Sequence, residues 1–110
     1  MVVPAVFEVL VGLVVVVLSV LMWQGRLRRN WAAGVRTPST MRSDAAFKTA
    51  NKVAAPLTGA GGVVFAICGV ISALVPQHTR GAIVLAGALA LGVLTMLGAA
   101  VGIRAARSVP

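Results

Sequence analysis

The stretch GVRTPSTMRSD at residues 34–44, which continues to Asn51 and Lys52, is polar and basic and lies between long hydrophobic segments. The whole sequence of 110 residues is 59% hydrophobic and only 11% charged. A soluble domain carries about a quarter charged residues, whereas long windows of this chain carry none. The composition therefore predicts a single membrane domain over residues 1–110, with the basic stretch as a loop outside the hydrocarbon.

The segment before this loop, residues 2–23, contains one charged residue, Glu8. As a helix it would be about 33 Å long, enough to cross a hydrocarbon core of about 30 Å. Its valine-rich sequence would favour a strand in water, but a lone strand in lipid leaves its backbone groups unpaired. No basic residue precedes the segment, so it is predicted to be a retained span rather than a cleaved signal peptide. Ala5, Glu8, Gly12 and Ser19 share the face predicted to pack inward.

Two further spans are predicted after the loop, at residues 54–75 and 81–103. Each carries small residues at intervals of three and four, which let helices approach closely in a membrane. We expect the two rows to face each other in a tight antiparallel hairpin through residues 76–80, although one row could instead receive another protein or a second copy of the chain. The rows are Ala55, Gly59, Gly62, Ala66, Gly69 and Ala73, and then Ala88, Gly92, Thr95, Ala99 and Gly102.

The net charge of +8 is unevenly placed. Seven of the ten basic residues lie in the loop, residues 24–53, two lie in the C-terminal tail, and Arg80 lies between the last two spans. Basic residues mark the cytoplasmic side of a membrane protein, so the loop and the C-terminus are predicted to be cytoplasmic and the N-terminus outside. The predicted fold is an all-α bundle of three transmembrane helices. The expected partner of the charge is anionic lipid headgroups rather than nucleic acid, since no DNA-binding module is recognisable.

Local signals within the loop predict two helix starts. Thr37 can cap a helix that has Pro38 at its first position. Ser43 can cap a second, short helix through Lys52, which we expect to lie at the membrane interface with its apolar side on the lipid. Pro56 lies near the point where this helix would run into the second span.

The loop also carries an ordered motif: Gly-Val-Arg-Thr-Pro-Ser-Thr at residues 34–40, then Ser43, Phe47 and Ala-Asn-Lys at residues 50–52. It resembles the signature of the SdpI family of small bacterial membrane proteins, G-[IV]-R-T-P-x-T followed by a serine, an aromatic residue and an Asn or His before a basic residue. The order of spans and loop agrees with that family over most of the chain. Phe47 stands where the family often has Trp, and Ala54-Ala55 replaces a common glycine.

The resemblance implies a role in immunity against a secreted toxin that attacks membranes, or in signalling to a transcriptional regulator. Arg36 would be the anchor for an anion or carboxylate, Thr37 and Pro38 would fix the turn, and Ser43 and Asn51 would tie the loop to the next helix. An alternative is that these residues only fold the loop against the membrane. The full set of candidate binding residues is Arg36, Thr37, Pro38, Thr40, Ser43, Phe47, Asn51 and Lys52.

Three isolated residues each allow a functional and a structural interpretation. Glu8 is either an intramembrane carboxylate that binds a proton or ligand, or a group near the outer surface that is hydrated or paired with Arg80 or His78, and its place in the first two turns favours the latter. Cys68 is expected to be a small packing residue. His78 is expected to be solvated in an outer connection.

No catalytic set, paired carboxylates, metal cluster or phosphate-binding glycine loop is present in the sequence, so we expect neither an enzyme nor a cofactor or metal. The leading hypothesis is a membrane protein that binds a membrane-active peptide toxin, for immunity or for stress signalling. The alternative is a non-catalytic accessory subunit of a larger membrane complex, with a membrane protein as partner. A homo-oligomer is compatible with either.

Overall fold

The structure, a computed structural model, describes residues 3–26 and 34–109, apart from the side chain of Ser39. The described chain forms four helices: α1 (Val3–Trp23), α2 (Pro38–Met41), α3 (Asp44–Leu74) and α4 (Gln77–Ala106). Helices α1, α3 and α4 are each long and apolar enough to cross a membrane. The predicted all-α fold with three spans is therefore confirmed.

Helix α3 is the centre of the bundle. Both α1 and α4 pack along it, whereas α1 and α4 barely touch each other. The molecule is elongated, at 52 × 20 × 19 Å. Many large apolar side chains point outward along its length, as expected for helices that face lipid. Those more than half exposed include Phe7, Leu10, Val17, Ile67, Leu85, Leu89 and Met96.

The contact between α1 and α3 depends on small residues. A Cβ at Gly12 would lie 2.7 Å from the Ala66 backbone nitrogen and 2.7 Å from the Gly62 carbonyl oxygen. Such a spacing leaves no room for a side chain, so the helices approach at backbone distance. The face of α1 predicted to pack inward does so, since Ala5, Glu8, Gly12 and Ser19 are all buried.

The expected pairing of the two rows of small residues is wrong. Gly59, Gly62 and Gly69 of α3 contact α1 instead of α4. Helix α4 reaches α3 through Gly98, which lies against the Ala54 carbonyl and is outside the predicted row, and through Gly102, the end of that row, which lies against Ala50. The physical reason is that α3 carries small residues on two faces, and the spacing alone does not say which partner each face receives.

Most of the α4 row is consequently left open. A Cβ at Gly92 would meet no atom within 4 Å, and Ala88, Thr95 and Ala99 line the same open cleft beside α1. Only Gly102 of that row packs closely on α3.

The predicted short interfacial helix is not a separate element. Its residues form the first turns of α3, which runs without interruption for 31 residues through Pro56. Ser43 caps this long helix, and its Oγ accepts a hydrogen bond of 3.0 Å from the Ala46 N–H. Proline removes one backbone hydrogen bond but is tolerated where neighbouring helices support the backbone.

The connection between α3 and α4 is shorter than predicted. It consists of Val75 and Pro76, and residues 77–80 already belong to α4. The predicted antiparallel hairpin itself is present, because α3 and α4 pack along each other. At the other end of the bundle, α1 closes with Gly25 at φ +71°. The Arg26 N–H there donates to the Leu21 carbonyl at 2.9 Å, a glycine-terminated helix end.

Candidate functional site

The basic loop is folded by two threonines. Thr37 has an extended backbone and caps α2, with Pro38 at the first helical position as predicted. The Thr40 N–H donates to Thr37 Oγ1 at 3.3 Å, and the Thr37 N–H donates to Thr40 Oγ1 at 2.7 Å. These reciprocal bonds form a capping box, here closed by a threonine instead of the usual Glu or Gln. They hold a helix of only four residues in place.

Thr40 also connects this turn to the chain before it. Its side chain is completely buried, and its Oγ1 lies 2.9 Å from the Val35 carbonyl oxygen and 3.1 Å from the Thr37 carbonyl oxygen. The hydroxyl donates to this pair while it accepts from Thr37. Because this buried hydroxyl is satisfied both as donor and as acceptor, it fixes the backbone conformation of the loop.

Asn51 ties the loop to α3. Its Oδ1 accepts a 2.7 Å hydrogen bond from the Val35 N–H, and its Nδ2 donates to the Phe47 carbonyl at 2.8 Å. The side chain is 1% exposed. The predicted cross-link between the loop and the next helix is therefore present in the geometry, made by Asn51, while Ser43 supplies the cap.

Apolar contacts complete the attachment. Phe47 is fully buried, and Val35 packs on a cluster of Met22, Ala54 and Ala55. Through Val35, the loop therefore packs against the last turn of α1 and the third turn of α3. Gly34, at φ +89°, turns the chain into this position, and a side chain there would be strained.

Arg42 is a residue of this region that the sequence analysis did not single out. Its guanidinium donates to the carbonyl of Ala106, in the last turn of α4. A cation suits the carbonyl-rich end of a helix. The only signal in the sequence was a basic residue in the loop, and nothing showed that the end of α4, 64 residues later, would lie beside it.

The candidate binding residues therefore fall into two groups. Thr40, Phe47 and Asn51 are buried, and Thr37 and Ser43 serve as caps. Pro38, Arg36 and Lys52 are exposed. Arg36 and Lys52 make no hydrogen bond or ion pair with any described part of the chain, so both charges are free to meet a ligand or the membrane surface.

Arg36 lies at one end of a cavity of about 680 Å³. The cavity is an open groove between α1 and α4, and residues 34–37 of the loop form its end wall. Its sides are apolar, with Thr58 and Thr95 as the polar exceptions. The apolar lining includes Val15, Leu18, Met22, Leu91, Gly92, Met96, Ala99 and Ile103.

A family model described as the SdpI/YfhL protein family matches residues 26–105. The chain belongs to the SdpI/YfhL family. The match covers the loop motif, α3 and nearly all of α4, and it begins after α1. No match was found among curated proteins or among solved structures.

In this family member, Glu8 is not near the surface, where the sequence analysis favoured placing it. Its side chain is 2% exposed, and neither carboxyl oxygen has a hydrogen-bond partner in the described chain. Oε1 would lie 3.0 Å from a Cβ at Gly87, so the carboxyl reaches across to α4. The expectation of a hydrated group, or one paired with Arg80 or His78, is wrong, because the carboxyl is buried beside Gly87 of α4, which also lies against Cys68 of α3.

The remaining polar residues of the outer end are placed as follows. Arg80 Nε donates to the Ser72 carbonyl at 2.9 Å, and His78 is exposed as predicted. Cys68 is partly buried against Gly87, a packing position. Within residues 3–26 and 34–109, no three His, Cys, Asp or Glu side chains form a group that could hold a metal.

Proposed function

We propose that this multi-pass membrane protein protects its cell against a membrane-active peptide, by binding that peptide at the loop side of the membrane without catalysing a reaction. The observation that carries the proposal is the membership of the SdpI/YfhL family over the loop motif, combined with the free charge of Arg36 in the middle of that motif.

The structure of the loop supports a binding role for this arginine. The neighbours of Arg36 on both sides are held by partly buried hydrogen bonds, Val35 to Asn51 and Thr37 to Thr40. The guanidinium is thereby presented from a rigid backbone, which lowers the entropy lost on binding. A planar guanidinium suits a carboxylate or a phosphate, and a peptide supplies carboxylates at its C-terminus and its acidic side chains.

The loop and the C-terminus are proposed to lie on the cytoplasmic side, because basic residues accumulate there. The first turns of α3 would then lie at the membrane interface, with Lys48 and Lys52 exposed toward anionic headgroups. Signalling to a cytoplasmic partner would use the same surface.

The test is survival of matched cells with and without this chain, challenged with a panel of membrane-active peptides from competing strains. Protection by the chain against at least one peptide, together with its co-purification with that peptide, is the expected result. Sensitivity that is identical in both strains across the panel would contradict the proposal and favour the accessory-subunit alternative. That alternative predicts recovery of a defined membrane protein with the chain in mild detergent.

A further inference from the structure

The groove between α1 and α4 is long enough to hold an acyl chain. From Ala88 to Ile103 it follows α4 for about 22 Å, at 1.5 Å per residue. Half of a hydrocarbon core of about 30 Å is about 15 Å. The groove therefore exceeds the depth of the hydrocarbon of one leaflet, and its loop end lies at Arg36.

The chemistry of the groove changes along this path. Its inner part is lined by α1 and α4 side chains that are almost all apolar, and its surface end carries the unpaired guanidinium of Arg36. An apolar channel that ends in a cation at headgroup depth complements a molecule with a hydrocarbon tail and an anionic head. We propose that the groove binds a phospholipid of the loop-side leaflet, with one acyl chain between α1 and α4 and its phosphate on Arg36.

Other clefts of the molecule lack this combination. The outer cleft, about 470 Å³, contains Arg80, but the Nε of that arginine already donates to the Ser72 carbonyl. Two clefts between α1 and α3, of about 360 and 290 Å³, have no charged residue in their lining. Of these four clefts, as lined by the described residues, the loop-side groove alone joins an apolar path to a cation without a partner in the described chain.

Two glycines of α4 allow a matched test. A Cβ at Gly92 or at Gly81 would meet no atom within 4 Å, so Gly92→Leu and Gly81→Leu should both fold. Gly92 lines the loop-side groove and Gly81 lines the outer cleft. The chain and its variants would be purified in a mild non-ionic detergent and titrated with phosphatidylglycerol or phosphatidylcholine, and bound lipid would be counted by native mass spectrometry.

We expect the original chain and Gly81→Leu to retain one phosphatidylglycerol, and Gly92→Leu to bind it about tenfold more weakly or less. Arg36→Ala should lose about tenfold in affinity for phosphatidylglycerol, the effect of one charge-assisted hydrogen bond. Arg36→Lys should recover part of that loss. Equal retention by Gly92→Leu and the original chain would overturn the proposal.

A measurement without substitutions covers the case in which a variant does not fold. Phosphatidylglycerol with a photoactivatable group in its acyl chain would be crosslinked to the original chain in nanodiscs. Labels should concentrate on the partly buried groove residues of α1 and α4, such as Leu18 and Leu91. Labels of equal density on the outward residues Leu89 and Val93 would show ordinary lipid contact and overturn the proposal. Neither measurement uses a toxin, so the lipid site and the proposed immunity can fail independently.

Discussion

The loop motif has a buried half and an exposed half that differ in what their side chains contact. Thr40, Phe47 and Asn51 are at most 1% exposed, and the polar atoms of Thr40 and Asn51 form hydrogen bonds with the loop or α3. Arg36 and Lys52 are adjacent to this network in sequence but are exposed and have no partner in the described chain. One half of the motif therefore holds the loop in place, while the side chains of the other half lie on the surface.

The buried half relies on polar side chains because residues 34–43 have few apolar side chains of their own to bury. The loop backbone is held mainly by side-chain hydrogen bonds, since loops depend on such partners for their buried polar groups. Once that frame is fixed, a cation attached to it has a defined position. Substitutions in the two halves should therefore separate stability from binding.

The largest loss of stability is expected for Phe47→Ala. The ring is fully buried, and removal of such a ring costs about 3–5 kcal/mol. Thermal or denaturant unfolding in detergent micelles would measure the loss. Phe7→Ala is the matched control, because Phe7 is 69% exposed on the lipid side of α1 and its removal should have little effect. Equal effects of the two changes would show that Phe47 is not part of a packed frame.

A smaller loss is expected for Asn51→Ala. The change leaves the Val35 N–H without its acceptor at a partly buried site, at a cost of about 1–3 kcal/mol, while the Phe47 carbonyl keeps its helical partner. Hydrogen exchange at Val35 should accelerate as the loop detaches. The neighbouring Lys52→Ala is the control, since that side chain is exposed. Unchanged protection of the Val35 amide in Asn51→Ala would mean that the loop is held by other contacts.

Loss of the α2 cap should cost less again. Thr37→Ala removes the side-chain acceptor of the Thr40 N–H and leaves only the Thr37 carbonyl, and loss of a helix cap costs about 1 kcal/mol. Thr37→Ser keeps the hydroxyl and should retain most of the stability in the same unfolding assay. If serine were as destabilising as alanine, the methyl group rather than the cap would be the stabilising feature.

The sequence predicted the helices and the local capping better than the contacts between distant segments. Hydrophobic length identified all three spans, and the Thr37-Pro38 and Ser43 signals identified both helix starts, because these depend on neighbouring residues. The pairing of α3 with α1 through Gly12 and Gly62 could not be predicted from the sequence, since all three helices carry a face of small residues that could pack closely on another helix.

For the candidate site too, the local features could be predicted from the sequence and the long-range contacts could not. The motif located the loop residues, but their division into buried and exposed groups depends on where Val35 meets Asn51 and Arg42 meets Ala106. The groove beside Arg36 depends on α1 and α4 lying on α3 without closing on each other. Such arrangements follow from the packing of whole helices, and no short sequence pattern predicts them.

The smallest effect on stability is expected for Arg36→Ala, within about 0.5 kcal/mol, because the side chain is exposed and unpaired. This variant tests the central claim most directly, by survival of cells exposed to a peptide against which the original chain protects. The amount of protein in the membrane would be measured in the same cultures. We predict a normal amount of Arg36→Ala protein with protection lost. Protection equal to that of the original chain would contradict the claim that the exposed half of the motif is the binding half.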